Sequence, residues 1–252
     1  MSYLLMLYKY TQKCKYFYGI LFICMRSKPK IISLGGSLIV PNGGIDHHFL
    51  RQFKDLIISQ VERGGRFIII VGGGKTSRHY QEAAQKVGKL DKEDVDWLGI
   101  HSTHLNAQLV RTILRDHAHL KIITHFDEVE EFQEPIMIAA GWRPGHSTDY
   151  DAVLHAKNHG ADTVINLSNI DYVFDKDPHK NSDAKPLKEI SWADFRKLVG
   201  DTWDPGANHP FDPIASKEAQ KVGLKVVVMG GKDLDNFKNY LDGKDFEGTV
   251  IS

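Results

Sequence analysis

The chain has 252 residues, of which 42% are hydrophobic and 25% charged, and its 32 basic residues balance its 32 acidic residues. This composition is that of a globular protein with one large or two small domains, and it excludes disorder, collagen and coiled coil as the main state. A formal net charge of zero argues against a general role in binding nucleic acid or a membrane surface. Two cysteines are too few for a disulfide framework or a four-thiolate zinc site.

The first 24 residues differ in composition from the rest of the chain. They hold both cysteines and five of the nine tyrosines, together with three lysines and no acid. The apolar run 16–25 follows lysines, as in a signal peptide, but it has no small-x-small cleavage site and is too short to span a bilayer. We favour a translation start at Met25, with 1–24 as an N-terminal extension outside the fold. A short apolar anchor, an added packing strand and a signal peptide are the alternatives. A body without cysteine fits a reducing cytoplasm.

From Lys30 onward, segments typical of strands and helices alternate. In chain order we predict a strand at 30–34, a helix at 48–63, a strand at 66–71, a helix from about Ser77, a helix at 98–117, strands at 120–123 and 135–140, a helix from near Thr148 capped by Ser147 or Thr148, a strand at 163–167, a helix at 213–222, a strand at 224–229 and a closing strand at 248–251. The segment 48–63 shows a helical apolar stripe, whereas 66–71 is apolar throughout, as strands buried on both faces are.

This alternation predicts an α/β fold, a three-layer α/β/α sandwich with a mostly parallel sheet. There is no linker-like stretch and no internal repeat, so residues 25–252 are expected to form a single domain. In such sheets, ligands bind at the carboxyl ends of the strands.

Three glycine-rich or polar loops follow predicted strands, at 35–37, 72–75 and 143–149. Glycine allows the backbone to approach a ligand closely, and the free N–H groups at the start of the next helix attract phosphate. A single loop of this kind is most simply explained as a tight turn. Three of them at one edge of a sheet favour a phosphate-binding site.

Other phosphate-binding and catalytic motifs are incomplete or absent in this sequence. Gly74-Lys75-Thr76 resembles the end of a P-loop, but the position five before Gly74 is Ile69 rather than glycine. No G-x-G-x-x-G follows a strand, and neither Ser37 nor Ser147 sits in a G-x-S-x-G elbow. The histidine pairs His101/His104 and His155/His159 lack the spacing of a known metal site, which favours solvated helix faces.

Six segments, in this order, resemble the amino acid kinase family, and within it the archaeal-type UMP (uridylate) kinases. They are Ile31–Ser37, Val71–Tyr80, Asp96–Val110, Arg143–Asp149, Ser168–Pro178 and Asp212–Gly231. The resemblance covers about 30–252. It implies direct in-line transfer of the γ-phosphoryl group of MgATP to UMP, with Mg²⁺ carried by ATP and no resident metal site. It further implies an acceptor-binding half at about 25–160, an ATP-binding half at about 161–252, a cytoplasmic location, and a homo-oligomer, a hexamer built from dimers.

The resemblance also assigns roles to individual residues. Those on the ATP side are Gly36, Ser37, Gly74, Arg78, Ser168, Asn169, Phe174, Asp177 and Lys217. Those around UMP are Gly73, Asp96, Arg143, Pro144, Gly145, His146, Ser147, Thr148 and Asp149.

Four of these residues have specific tasks in the family's reaction. Lys217 neutralises the transferring phosphoryl group, Asp149 orients the catalytic groups, and Arg78 lies near the transferred phosphate. Asp96 holds the ribose hydroxyls, and we expect it as a free carboxylate just before a helix that starts near Trp97. From the residues alone, Asp96 and Asp149 could instead be helix caps, and Lys217 and Arg78 could be surface residues.

The sequence departs from the family pattern in four places. Ser33 stands where many members have a lysine, although some archaeal-type relatives also lack it. Tyr172 replaces a glycine, and Phe174 keeps a stacking ring without a hydroxyl. The stretch 203–211 (WDPGANHPF) is bulkier than the glycine/serine stretch of relatives.

Two other functions fit the same fold. One is a kinase of another small acceptor, such as an isoprenyl phosphate, a carboxylate or a phosphonate, for which a ribose-binding Asp96 would have no purpose. The other is a non-catalytic protein that binds nucleotides or oxyanions, as a metal-oxyanion storage relative does. Arg78, Asp149 and Lys217 favour catalysis over the latter.

We predict that residues 1–24 are dispensable. Because their composition breaks with the rest and Met25 directly precedes the first strand, a chain starting at Met25 should fold and keep its activity. Soluble yield, thermal unfolding and turnover of the two forms test this. Loss of soluble protein on truncation would show that the segment packs against the body or anchors it.

Overall fold

The computed structural model describes residues 27–252, apart from 43, 127–128, 179 and 205–208. The expectation for 1–24 therefore lies outside the described residues. None of the described helices combines the length and the apolar character needed to cross a bilayer.

The described strands form one large sheet and a small hairpin. The strands are β1 (Lys30–Leu34), β2 (Phe67–Val71), β3 (Ala118–Ile123), β4 (Ile136–Ala139), β5 (Thr163–Ser168), β6 (Val173–Phe174), β7 (Pro186–Leu187), β8 (Glu189–Ile190), β9 (Lys225–Gly230) and β10 (Thr249–Ile251). The large sheet has the order β3-β4-β2-β1-β5-β9-β10-β8, and β6 pairs with β7. All its pairings are parallel except that of β10 with β9. The sheet is thus mostly parallel, as predicted.

Helices cover both faces of the sheet. They are α1 (Gly36–Ile39), α2 (His47–Glu62), α3 (Gly74–Val87), α4 (Lys92–Ile113), α5 (Thr148–Asn158), α6 (Trp192–Val199), α7 (Pro213–Lys221) and α8 (Leu234–Leu241). One core cluster joins α2, α4 and α8 to one face, and a second joins α5, α6 and α7 to the other. Successive strand residues alternate between the clusters, so that Ile31 belongs to the second and Ile32 to the first. The three-layer α/β/α prediction is confirmed.

Helix α4 begins six residues earlier than predicted. Its first turns, from Lys92, are polar and carry no apolar stripe, so periodicity gives no signal there. The carboxylate of Asp91 caps the helix by accepting from Asp94 N–H at 2.8 Å. The start near Trp97 was therefore wrong, and Asp96 lies inside the helix rather than before it or at its cap.

Several short elements were not predicted. Three of them are helices of four to eight residues, α1, α6 and α8. The others are the two-residue strands β6 to β8. Elements this short show no periodic pattern in the sequence. Helix α3 begins at Gly74 rather than near Ser77, because the glycine loop itself forms the first helical turn. The N-cap of α5 is Ser147, as predicted.

Candidate functional site

A cavity of about 420 Å³ lies at the carboxyl ends of the central strands. The loops after β1, β2 and β4 line it together with Ser168 and Asn169 at the end of β5. The sheet order places β4, β2, β1 and β5 side by side, which is why loops far apart in sequence meet here. All three loops selected from the sequence contribute to this one cavity.

The first two glycine loops touch each other through their backbones. A Cβ on Gly36 would lie 2.2 Å from the backbone nitrogen of Gly74, and a Cβ on Gly72 would lie 2.6 Å from that of Gly36. Gly74 also has a φ of +62°, in the left-handed region that favours glycine. These three positions require glycine, which holds the backbone N–H groups of both loops close together.

Asp149 lies in the first turn of α5 and lines the cavity. Its carboxylate accepts from Ser33 Oγ at 2.8 Å and from Asp212 N–H at 3.2 Å. Burial and the neighbouring Asp212 carboxylate raise the pKa of Asp149 to about 7, against the lowering effect of the Ser33 hydrogen bond. The cap of α5 is Ser147, so Asp149 is not an N-cap.

Asp212 connects α7 to the loop 143–149, hereafter the acceptor loop. It is 2% exposed and caps α7 by accepting from the N–H groups of Ile214 and Ala215. Its second oxygen accepts from Ser147 N–H at 2.6 Å. The sequence reasoning gave Asp212 no role, although an aspartate directly before Pro-Ile-Ala is a recognisable helix-start signal.

A second buried acid, Asp151, lies beneath the same loop. Burial raises its pKa well above the ordinary value and lowers that of His146, whose Nδ1 lies 3.8 Å from an Asp151 oxygen. Asp151 is 1% exposed and lines the cavity. No motif in the sequence marked it.

Asp96 and Trp203 line the cavity and contact each other. Asp96 is 8% exposed, and its Oδ2 accepts from Gly145 N–H at 2.8 Å. The indole N–H of Trp203 lies 3.1 Å and 3.3 Å from the two carboxylate oxygens. The expectation of a free carboxylate was wrong, because two donors hold it.

A second cavity of about 490 Å³ adjoins the first. Ser168, Asn169, His209 and Pro210 line both. Phe174 and Asp177 line only the second, where Phe195 and Leu198 of α6 complete an apolar wall. The ATP-side residues expected after β5 are thus brought together.

The two cations predicted for the ATP side, Arg78 and Lys217, lie in different surroundings. Arg78 lines the first cavity, as does Lys75, a further cation of the same helical turn to which no role had been given. Lys217 is exposed on the second turn of α7 and is not among the lining residues of either cavity.

The acceptor loop is the third group of predicted residues. Arg143 lines the cavity and its guanidinium stacks 4.1 Å from the ring centre of Trp142. Pro144 and Gly145 are not lining residues, and Gly145 acts through its N–H bond to Asp96.

The histidine pairs do not all lie on solvated faces. His101 is exposed, but His155 is 2% exposed and packs edge-on against Phe126, with ring centres 4.5 Å apart. Burial lowers the pKa of His155 to about 3. The expectation of a solvated face is wrong for His155. Within the described parts of 27–252, no group of three or more His, Cys, Asp or Glu side chains is placed to hold a metal ion.

We predict that Asp149 makes folding stability fall as pH rises. The folded protein keeps the Asp149 proton up to about pH 7, whereas the unfolded chain releases it near pH 4. Between these values the unfolded state binds fewer protons, so the free energy of unfolding decreases with pH. Because the Asp149 side chain is only partly enclosed, about half of the free energy equivalent to its pKa shift is expected. Asp149→Asn should therefore remove about 2 kcal/mol of this decrease. Urea unfolding at pH 5 and pH 8 measures it.

The exposed Asp245 provides the matched control, and Asp245→Asn should leave the pH dependence unchanged. Identical pH profiles for the unmodified protein and Asp149→Asn would contradict the raised pKa.

Comparisons with known proteins agree with this geometry. The profile of the amino acid kinase family matches residues 28–230. A curated uridylate kinase from Pyrococcus abyssi is 34% identical over 224 residues, covering 88% of this chain and 98% of its own. One from Methanocaldococcus jannaschii is 32% identical, covering 86% of this chain and 99% of its own.

A solved structure gives the same result at the level of the fold. The crystal structure of uridylate kinase from Archaeoglobus fulgidus superposes with a TM-score of 0.74 at 29% identity, over 89% of this chain and all of that one. Since the family profile spans most of the chain and the relatives match it nearly end to end, the protein belongs to the amino acid kinase family.

Proposed function

We propose that the protein is a UMP kinase, which transfers the γ-phosphoryl group of MgATP to UMP and releases UDP and ADP. The observation that carries the proposal is the pair of adjoining cavities, which share Ser168, Asn169, His209 and Pro210, with the glycine loops lining the first of the two. Two nucleotides bound in them would meet phosphate to phosphate. The curated uridylate kinases that match nearly the whole chain support UMP as the acceptor.

The reaction needs positioning and charge neutralisation more than covalent help. A UMP phosphate oxygen, already an anion, attacks the γ-phosphorus in line, and the bond to the ADP oxygen breaks. No general base is required. The backbone N–H groups of the paired glycine loops, which line the first cavity at the start of α3, suit the phosphates.

We assign the predicted site residues to the two nucleotides as follows. Gly36, Ser37, Gly74, Arg78 and Lys217 act on the ATP phosphates, and Ser168, Asn169, Phe174 and Asp177 surround its base and ribose. Gly73, Asp96 and the loop 143–149 bind UMP. Lys217 would have to reach the phosphates by a change of side-chain conformation, since it is exposed. Lys75 lies in the cavity and adds positive charge beside Arg78.

Mg²⁺ enters with ATP as part of the substrate. When bound, it would supply positive charge that the protein's own cations, such as Arg78 and Lys75, leave uncompensated. The carboxylate of Asp149, held by Ser33 and Asp212, orients groups around the transferring phosphoryl.

The wider setting is proposed on the same basis. We propose a cytoplasmic homo-oligomer, with no nucleic acid or membrane partner. The exposed outer face of α4 supports self-association, because Trp97 and Leu105 are 39% and 64% exposed on it. The acceptor half is about 25–160 and the ATP half about 161–252.

A coupled ADP-release assay against a panel of acceptors tests the function. UMP should be the preferred acceptor over isoprenyl phosphates, carboxylates and phosphonates. Preference for one of those would move the assignment to another kinase of the fold. ATP binding without any turnover would favour a binding protein instead.

Lys217→Ala should remove most turnover and change UMP affinity little. An ammonium that contacts the phosphoryl group mainly in the transition state contributes about 10²-fold or more to kcat. Steady-state kinetics with both substrates measures this. Lys221→Ala, one turn later on the same exposed helix face, is the control and should be neutral. An unchanged kcat in Lys217→Ala would make Lys217 a surface residue.

UMP should be preferred over dUMP because of Asp96. The 2′-deoxy sugar leaves part of a largely buried carboxylate unpaired, which costs roughly 1–3 kcal/mol, or about 5- to 150-fold in kcat/KM. Asp96→Asn should weaken UMP use and narrow the gap to dUMP. Values of kcat/KM for UMP, dUMP and CMP should be compared.

Asp94→Asn is the matched control, since Asp94 is exposed on the same helix two residues away. Equal use of UMP and dUMP by the unmodified protein would refute the role given to Asp96.

A further inference from the structure

We propose that Trp203 is a positioning residue for the acceptor nucleotide, which holds the Asp96 carboxylate through its indole N–H and walls the acceptor end of the cavity. The proposal rests on the proposed function and adds to it a residue outside the six family-like segments. It concerns the bulky stretch 203–211, which departs from the family pattern.

The contact between Trp203 and Asp96 fixes the carboxylate from one side. The indole N–H is shared between the two oxygens, at 3.1 Å and 3.3 Å, while Gly145 N–H binds Oδ2 at 2.8 Å. A carboxylate offers about four acceptor positions, so these two donors leave capacity for further donors. Because Asp96 lines the cavity, that capacity is available to the hydroxyls of a bound sugar.

The chain around Trp203 is anchored on both neighbouring helices. Asp204 forms an ion pair with Lys92 in the first turn of α4, one turn before Asp96. On the other side, Asp201 pairs with Arg196 of α6. Both pairs are at the surface and individually weak, but together they restrict where the indole can lie.

Tryptophan suits both parts of this role. Its ring is large and rigid, and it carries a single donor that is satisfied here by Asp96. The ring lines the same cavity as Ile100 and Thr103 of α4 and Trp142. Phenylalanine at this position would keep an aromatic wall and remove only the donor.

A change of Trp203→Phe separates positioning from structure. Loss of a hydrogen bond to a charged group should raise the KM and the dissociation constant for UMP about tenfold. The KM for ATP and kcat should stay within about twofold, because the ring remains and the phosphates are bound elsewhere. The preference for UMP over dUMP should narrow as the carboxylate loses its fixed orientation. Kinetics with both substrates, UMP calorimetry and thermal unfolding give these values.

Trp97→Phe is the matched control. Trp97 is adjacent to Asp96 in sequence, but it lies on the outer face of α4 and does not line the cavity. The same substitution there should leave UMP affinity and the sugar preference unchanged.

Three outcomes would overturn the proposal. Unaltered UMP affinity and sugar preference in Trp203→Phe would remove the role of Trp203 while leaving the UMP kinase function intact. Parallel loss of ATP and UMP affinity with a lower unfolding temperature would make the residue structural. Failure of the unmodified protein to bind or phosphorylate UMP would refute the proposed function, and this proposal with it.

Discussion

One buried carboxylate, that of Asp212, sets the relative position of the parts that form the site. It caps α7, accepts from the backbone of the acceptor loop at Ser147, and places its own N–H against Asp149. A side chain that is 2% exposed and has its acceptor positions used in this way has no room to move. The helix that carries Lys217 and the loop that starts α5 are therefore held as one unit, and Asp149 is oriented by the backbone that this unit fixes.

This arrangement has an electrostatic cost. Asp149, Asp151 and Asp212 lie close together in a region where burial already disfavours charge. Asp212 raises the pKa of Asp149, and Asp212 and Asp149 both raise that of Asp151. The site thus places three acidic groups beside the position proposed for the phosphates. Under the proposed function, the cations of α3 and the Mg²⁺ of MgATP would offset their charge once the substrates are bound. Such a site lowers the folding stability of the protein without substrates, and its side chains have a fixed orientation in return.

The sequence predicted the layers and the loops better than the contacts between them. Apolar strands such as β2 and capped helices such as α5 follow local patterns, and the parallel sheet follows from their alternation. The start of α4 could not be predicted because its first turn is polar, and this error placed Asp96 outside the helix. Likewise, the partner of Asp96 is Trp203, more than one hundred residues later, and no spacing rule connects two such positions. Lys75 received no role because the P-loop pattern around it is incomplete, with Ile69 in place of a glycine, although the structure places Lys75 in the cavity.

The backbone contact between Gly36 and Gly74 has a consequence for how the binding site comes into being. The two loops follow β1 and β2, which pair directly, with Leu34 opposite Val71 in register. A slip of one residue between these strands would move one loop by about 3.3 Å along the other and open the contact. Under the proposed function, phosphate binding between these loops therefore cannot precede correct pairing of the central strands. A nucleotide that contacts both loops would bind only the aligned sheet, and its binding free energy would favour that register over a shifted one during folding.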